Sequence, residues 1–356
     1  MTALSLFTCN SRRPVDDDIP WKNVILSRLL SCAEEGKVFY GHQDDPLYGH
    51  TWEVTDIKND SLSRSDVKDV TGKYPYVVGF DLGGIELGDS CNIDGVPFEL
   101  IRKAAMKHIA RGGIVTFSWH PRNPLTGGDS WDISSDQVIS SILEGGEKHQ
   151  EFLVWLDRAA AFLGDLGGAP VIFRPWHENL GKWFWWGGYH CTPEQYKEMY
   201  RLTWDRIAGK NGLKHLIWCY SPDGPVSAEE YLSRYPGDDI IDILGTDIYE
   251  FIKEESVEEA GTRYVSEVRD MLSTLQGIAQ EHLKLMCLSE TGLEGLVEQD
   301  WWTRRLLPAI EGFRISYVLT WRNAPDNPEH FYAPWKGFEG EDDFRLFTEK
   351  KEIVLL

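Results

Sequence analysis

The sequence predicts an α/β protein folded as a single (β/α)8 TIM barrel, and three observations carry that expectation. Short apolar runs of β-type alternate with helix-period segments along almost the whole chain. Run after run ends in polar or aromatic residues, as barrel strands do where their tips converge on one face. No GxGxxG or GxxxxGK[ST] occurs, so the phosphate loop of the competing open doubly wound sheet is missing. With 356 residues, 42% hydrophobic content and no repeat or linker, one domain is expected over 21–356 behind a lead-in over 1–20.

In chain order, 24–35 reads as a helix stopped at Gly36, and 37–43 is the first strand. Strands then recur at 76–81, 114–120, 171–178, 215–221, 240–249, 284–290 and 315–323. Between them, 98–110 has helical spacing. So do Phe152, Trp155, Leu156, Ala159, Ala160 and Leu163. A third helix carries Tyr196, Met199, Tyr200, Thr203, Trp204 and Ile207. It opens at Thr192-Pro193-Glu194-Gln195, where the threonine hydroxyl can cap the Gln195 amide and proline suits the first turn. Segments 264–279 and 301–310 repeat the pattern, and the tail over 343–356 should pack as a helix or strand.

Composition narrows the ligand. A net charge of −21 argues against nucleic acid, anionic membranes and acidic polymers, all of which need basic surface. Fifteen tryptophans favour a neutral ligand with apolar faces. The six cysteines form no CxxC pair, the histidines are dispersed, and HExxH fails because position 181 is glycine. No metal or cofactor is therefore expected, and without GxSxG no serine elbow. No run of ~18 apolar residues exists to span a membrane. Leu6-Phe7-Thr8-Cys9 reads as an imperfect lipobox of a truncated export signal, implying an extracytoplasmic protein with a lipid anchor in its native form. A monomer is expected.

The stretch from Val171 to Trp186 organises the rest. Val171, Ile172 and Phe173 form a buried strand that delivers Arg174, His177 and Glu178 to its tip, followed by Trp183, Trp185 and Trp186. An acid among tryptophans suits sugars, because indole faces stack on sugar faces and a carboxyl trades protons with a glycosidic oxygen. Core packing is an equally good reading of an isolated WxWW run. The seventh strand ends in a second carboxylate, Glu290, costly to bury without purpose. Two carboxyls about 5–5.5 Å apart would serve as nucleophile and acid of a retaining glycosidase. Arg174 and Tyr249 are the right types to hold such a nucleophile ionised and oriented.

Gly41-His42-Gln43-Asp44-Asp45 with Tyr48-Gly49 and Trp52, the HPRNPLTGG stretch from His120 to Gly128, and Arg174-Pro175-Trp176-His177-Glu178 with Trp183 resemble glycoside hydrolase family 26. The likeness runs on through Tyr249, Ser289-Glu290-Thr291-Gly292 and Trp321-Arg322, covering nearly the whole chain. The resemblance implies a catalytic barrel cleaving β-1,4-mannosidic linkages of neutral mannan or manno-oligosaccharides with retention. By it, Glu178 is the acid/base and Glu290 the nucleophile, with Arg174 and His177 orienting them and Tyr249 touching the nucleophile. Trp183 would lie under a leaving-group sugar, while His120, Trp321 and Arg322 would line the non-reducing side. Trp131 is a candidate cleft wall, with core packing equally open. Asp81 and His42 read as structural tip residues, and Trp185 and Trp186 as wall or packing. A xylanase or mixed-linkage glucanase is the runner-up. A non-catalytic glycan-binding barrel is disfavoured because both carboxyls are present. The long connections 121–148 and 83–97 are expected to wall off the non-reducing end and favour release of mannobiose.

Overall fold

The computed structural model describes residues 20–56 and 58–356, so the lipobox-like segment and the rest of the lead-in before position 20 lie outside the described residues. Eight parallel strands close into a barrel: β1 (Val38–Gln43), β2 (Val77–Asp81), β3 (Ile114–Trp119), β4 (Ile172–Pro175), β5 (Ile217–Tyr220), β6 (Ile243–Glu250), β7 (Leu285–Leu293) and β8 (Tyr317–Thr320). Strand β8 returns to β1, with Tyr40 opposite Val318. The tail takes both expected forms: a helix, Glu341–Thr348, then β9 (Ile353–Val354), which pairs with Val38 and Phe39. The threonine cap is present too, with the Thr192 hydroxyl accepting from the Gln195 amide. Among the described residues no helix is long and apolar enough to cross a membrane.

Several strands differ from the sequence expectation: the eighth, expected over 315–323, spans Tyr317–Thr320, and the sixth, expected over 240–249, spans Ile243–Glu250. The fourth stops at Pro175 because Trp176 (φ 57°) and Glu178 (φ 52°) take left-handed conformations that cannot continue a ladder. The seventh runs three residues past Glu290, from Leu285 to Leu293.

The barrel obeys the two-residue period of a strand. Phe39, Val77, Ile114, Ile172, Ile217, Ile243, Leu285 and Tyr317 point inward and form a floor, which Leu29 and Cys32 of the first helix (Pro20–Glu34) seal from below. Their neighbours Val78, Val115, Phe173, Trp218, Leu244 and Val318 point outward into the helical layer. Followed upward, the inward parity reaches Asp81, Ser118, Arg174, Ser221 and Asp247 at the top.

Glu290 has the wrong parity for this face. Leu285 and Cys287 point in, while Met286 and Leu288 point out, so an unbroken strand would send Glu290 toward the helices. A bulge corrects it. Thr246 faces Leu288 but Asp247 faces Glu290, and on the other side Val318 faces Leu288 while Thr320 faces Thr291. Ser289 is the extra residue. Its hydroxyl turns inward to Asp247 Oδ1 at 2.6 Å, Glu290 turns inward as well, and Thr291 faces out to the Tyr264 hydroxyl.

Gly245 makes room for the bulge, since a Cβ there would lie 2.5 Å from Ser289 Oγ and 2.8 Å from Ser221 Cβ. Gly245→Ala should therefore lower the unfolding free energy by about 1–3 kcal/mol, the usual cost of overpacking. Denaturant unfolding checks this, and an unchanged midpoint would show that the bulge tolerates a methyl group.

Candidate active site

Arg174 is the hub at the barrel top. Its buried guanidinium donates from Nη1 to Asp247 Oδ2 at 2.8 Å and Ser221 Oγ at 3.0 Å, and from Nη2 to Glu290 Oε1. Tyr249 donates its hydroxyl to the other Glu290 oxygen at 2.7 Å. Both oxygens of Glu290 are thus engaged, which fixes the plane of the carboxylate. Asp247 was missed by sequence reasoning. The available signal was an acid inside the apolar strand IIDILGTDIY, two residues before Tyr249 and so on the same face.

Glu178 faces this cluster from the end of β4. It is half-buried and accepts the Trp183 indole N–H at 2.6 Å. One oxygen from each of Glu178, Asp247 and Glu290 lies within 4.8 Å of the other two. Three carboxyls beside one guanidinium cannot all ionise cheaply. Glu290 and Asp247 both touch Arg174, whereas Glu178 has only the indole N–H. Burial pushes the Glu178 carboxyl well above the usual glutamate range, and the negative charges of Glu290, Asp247 and Asp223 push it further. Burial raises Asp247 as well, against the pull of Arg174 and with the Glu290 charge adding to it, so what sets Glu178 apart is that no cation lies beside it. Among the described residues these three carboxyls are also the one grouping compact enough to hold a cation, but the Arg174 guanidinium already lies against two of them.

A second chain of polar groups runs along the β2–β4 side. His120 Nδ1 lies 2.7 Å from Asp81 Oδ2, and His120 Nε2 lies 3.1 Å from His177 Nε2. Burial opposes charge on His120, but the Asp81 carboxylate outweighs it and raises the ring. Burial lowers His177 far below the usual range, aided by Arg174 and His120. Of the two rings, His120 is the one whose surroundings favour the protonated form, and its Nδ1 faces the Asp81 carboxylate. Asp81 belongs to this network through His120. His42 points the other way, its Nδ1 3.0 Å from Asp45 within the β1 tip.

The aromatics sort by exposure. Trp185 and Trp186 are fully buried, with their indoles donating to the Pro121 and His177 carbonyls, so they are packing that steadies the loop after β4. Trp183 stays 38% exposed and Trp131 50%, so both present surface to the cleft; Trp131 also stacks on His120 with centroids 5.5 Å apart. Trp321 sits half-buried with its ring 6.4 Å from His120. Arg322 pairs with Asp94 at 3.2 Å and lies over the Tyr48 ring. Ser221, Asp223 and Asp94 join Asp247 as site residues that the sequence did not single out.

The model of the family described as "Glycosyl hydrolase family 26" matches residues 25–270. The chain belongs to glycosyl hydrolase family 26. Within the family it is similar to a mannan endo-1,4-beta-mannosidase of Bifidobacterium adolescentis, 32% identical over 363 residues, covering 94% of this chain and 36% of the relative. It is likewise similar to a mannan endo-1,4-beta-mannosidase of Bacillus subtilis, 32% identical, covering 53% of this chain and 54% of the relative. The chain thus spans between a third and about half the length of these curated relatives. Among solved structures, a GH26 beta-mannanase from Bacteroides ovatus superposes with a TM-score of 0.88 at 44% identity, covering 94% of this chain and 95% of that one. A modular endo-beta-1,4-mannanase from Cellulomonas fimi gives 0.81 at 29% identity, covering 94% and 75%.

The coupling of the two glutamates is measurable. The Glu290 charge opposes ionisation of Glu178, so Glu290→Gln should let Glu178 ionise at lower pH. A side-chain carboxyl 13C titration reads this directly, and an unmoved or raised Glu178 would contradict the coupling.

Proposed function

We propose that the chain is a retaining β-1,4-mannanase that works by double displacement through Glu290 and Glu178. The observation that carries this reading is the approach of the two carboxyls, with oxygens no more than 4.8 Å apart. That spacing suits direct attack, for which retaining enzymes hold the carboxyls about 5–5.5 Å apart, and leaves no room for the water that inverting enzymes seat at about 6.5–9.5 Å. Glu290, held by Arg174 and Tyr249, attacks the anomeric carbon. Glu178 gives its proton to the departing glycosidic oxygen as that bond breaks. Glu178, now the base, then takes a proton from water, which attacks the anomeric carbon and frees Glu290. Mannan as the substrate is supported by the names of the relatives and by the exposed indoles of Trp183 and Trp131 beside the carboxyls. A polymer of neutral sugars is met outside the cytoplasm, so the reading extends to an extracytoplasmic location.

The reading also includes short products, with mannobiose leading. Two connections support it. The loop after β2 passes over the end of β1, where Asp94 pairs with Arg322 beyond β8. The buried Glu86 carboxylate accepts from the Gly84 and Arg122 amides at 2.9 and 2.8 Å and from the Trp119 indole at 3.1 Å, which ties the loops after β2 and β3 together. A wall of this kind limits how many sugars fit on the non-reducing side.

Glu178→Ala should abolish hydrolysis of mannan yet spare the first step with an activated aryl leaving group, which departs without a proton. Glu290→Ala should be inactive on both, and wild-type rates on mannan for either variant would refute the assignment. In a time course on mannan, mannobiose should dominate from the first minutes, whereas an early broad ladder of oligomers would remove the wall from the reading.

A further inference from the structure

The loop after β4 carries Glu178 and Trp183 and contains no strand or helix up to Thr192; its buried indoles hold its far end, and its near end, around Glu178 and Gly181, needs a support of its own. The β5 tip supplies it. The Glu178 amide donates to the Ser221 carbonyl at 2.8 Å, and the Leu180 and Gly181 amides both donate to Asp223 Oδ1, at 3.1 and 2.8 Å. Asp223 is itself anchored to β6: the Asp247 amide donates to the Pro222 carbonyl at 3.1 Å, and the Gly224 amide to the Asp247 carbonyl at 3.2 Å.

Gly181 is the contact that turns this docking into chemistry. A Cβ there would lie 2.5 Å from the six-membered ring of Trp183, so the indole rests directly on the Gly181 backbone. The same indole donates to Glu178 Oε2 at 2.6 Å. Asp223 holds Gly181, Gly181 supports Trp183, and Trp183 sets the Glu178 carboxyl.

Resting on the proposed acid role of Glu178, we propose that Asp223 is a positioning residue for leaving-group departure, acting through the Gly181 turn on both the Trp183 platform and the proton donor. A positioning residue of this kind has a selective signature. Its loss harms only steps that need the acid or the platform, because the nucleophile half of the site (Arg174, Tyr249, Glu290) is held by other bonds.

The test compares mannotetraose, a poor leaving group, with a 2,4-dinitrophenyl β-mannobioside, which needs no proton. Asp223→Ala should lower kcat/KM on mannotetraose by about 10- to 100-fold, the scale of a small misplacement of a catalytic group. On the aryl substrate it should stay within about twofold of wild type, which also shows that the variant is folded. Asp223→Asn keeps an oxygen for both amides and should recover most of the mannotetraose rate. Gly181→Ala should reproduce the selective loss with Asp223 intact. Equal losses on both substrates, or none on mannotetraose, would overturn the proposal. Glu178→Ala run alongside separates the two levels: wild-type turnover of mannotetraose by that variant would overturn the acid assignment itself.

Discussion

The carboxylate cluster at the barrel top depends on one guanidinium. Arg174 sits between Asp247 and Glu290 with no other cation in hydrogen-bond contact with either carboxylate among the described residues. Removing one partner from such a buried arrangement costs about 3–5 kcal/mol, a large part of the roughly 5–15 kcal/mol that holds a domain folded. The arginine is thus structural and electrostatic at once. It holds Glu290 in the orientation that Tyr249 completes, and it leaves Glu178 as the carboxyl without a cation. The different electrostatic settings of two chemically identical side chains follow from that asymmetry, reinforced by burial at Glu178.

The loop that carries Glu178 is kept by a different force. Left-handed backbone at Trp176 and Glu178 costs on the order of 1–3 kcal/mol per residue. Below the loop, Trp176, Trp185 and Trp186 are fully buried and meet edge to face at centroid distances of 5.0 to 5.6 Å. Each such side chain contributes about 4–6 kcal/mol by burial of roughly 150–250 Å². That exceeds the backbone cost, and three indole N–H groups bonded to Thr203, Pro121 and His177 give the packing a single arrangement. The aromatic run after Glu178 therefore has two jobs: Trp183 faces the cleft, and its neighbours hold the turn that carries Glu178.

Much of this was legible in the sequence, and the exceptions have physical causes. The barrel followed from eight apolar runs, because a strand buried on both faces has little freedom in composition. Glu178 and Glu290 stood out as acids ending such runs. Asp247 did not, because it lies inside a strand rather than at its end, and only the closed barrel reveals that its face meets Arg174. Asp223 and Asp94 looked like ordinary loop acids, since their partners are backbone amides or a residue more than two hundred positions away. The end of β4 was misjudged because left-handed backbone at Trp and Glu has no residue signature, unlike glycine.

The Ser289 bulge has a consequence for reading and rebuilding relatives of this chain. Side-chain identity in β7 matters less than the number of residues between Leu285 and Glu290, because that number decides which face the carboxylate occupies. An alignment that closes a one-residue gap here would superimpose Ser289 on the inward-facing carboxylate while every apolar position still looked sensible. A grafted or redesigned β7 must carry the extra residue, and Gly245 across from it, as a unit. Counting is part of the active site.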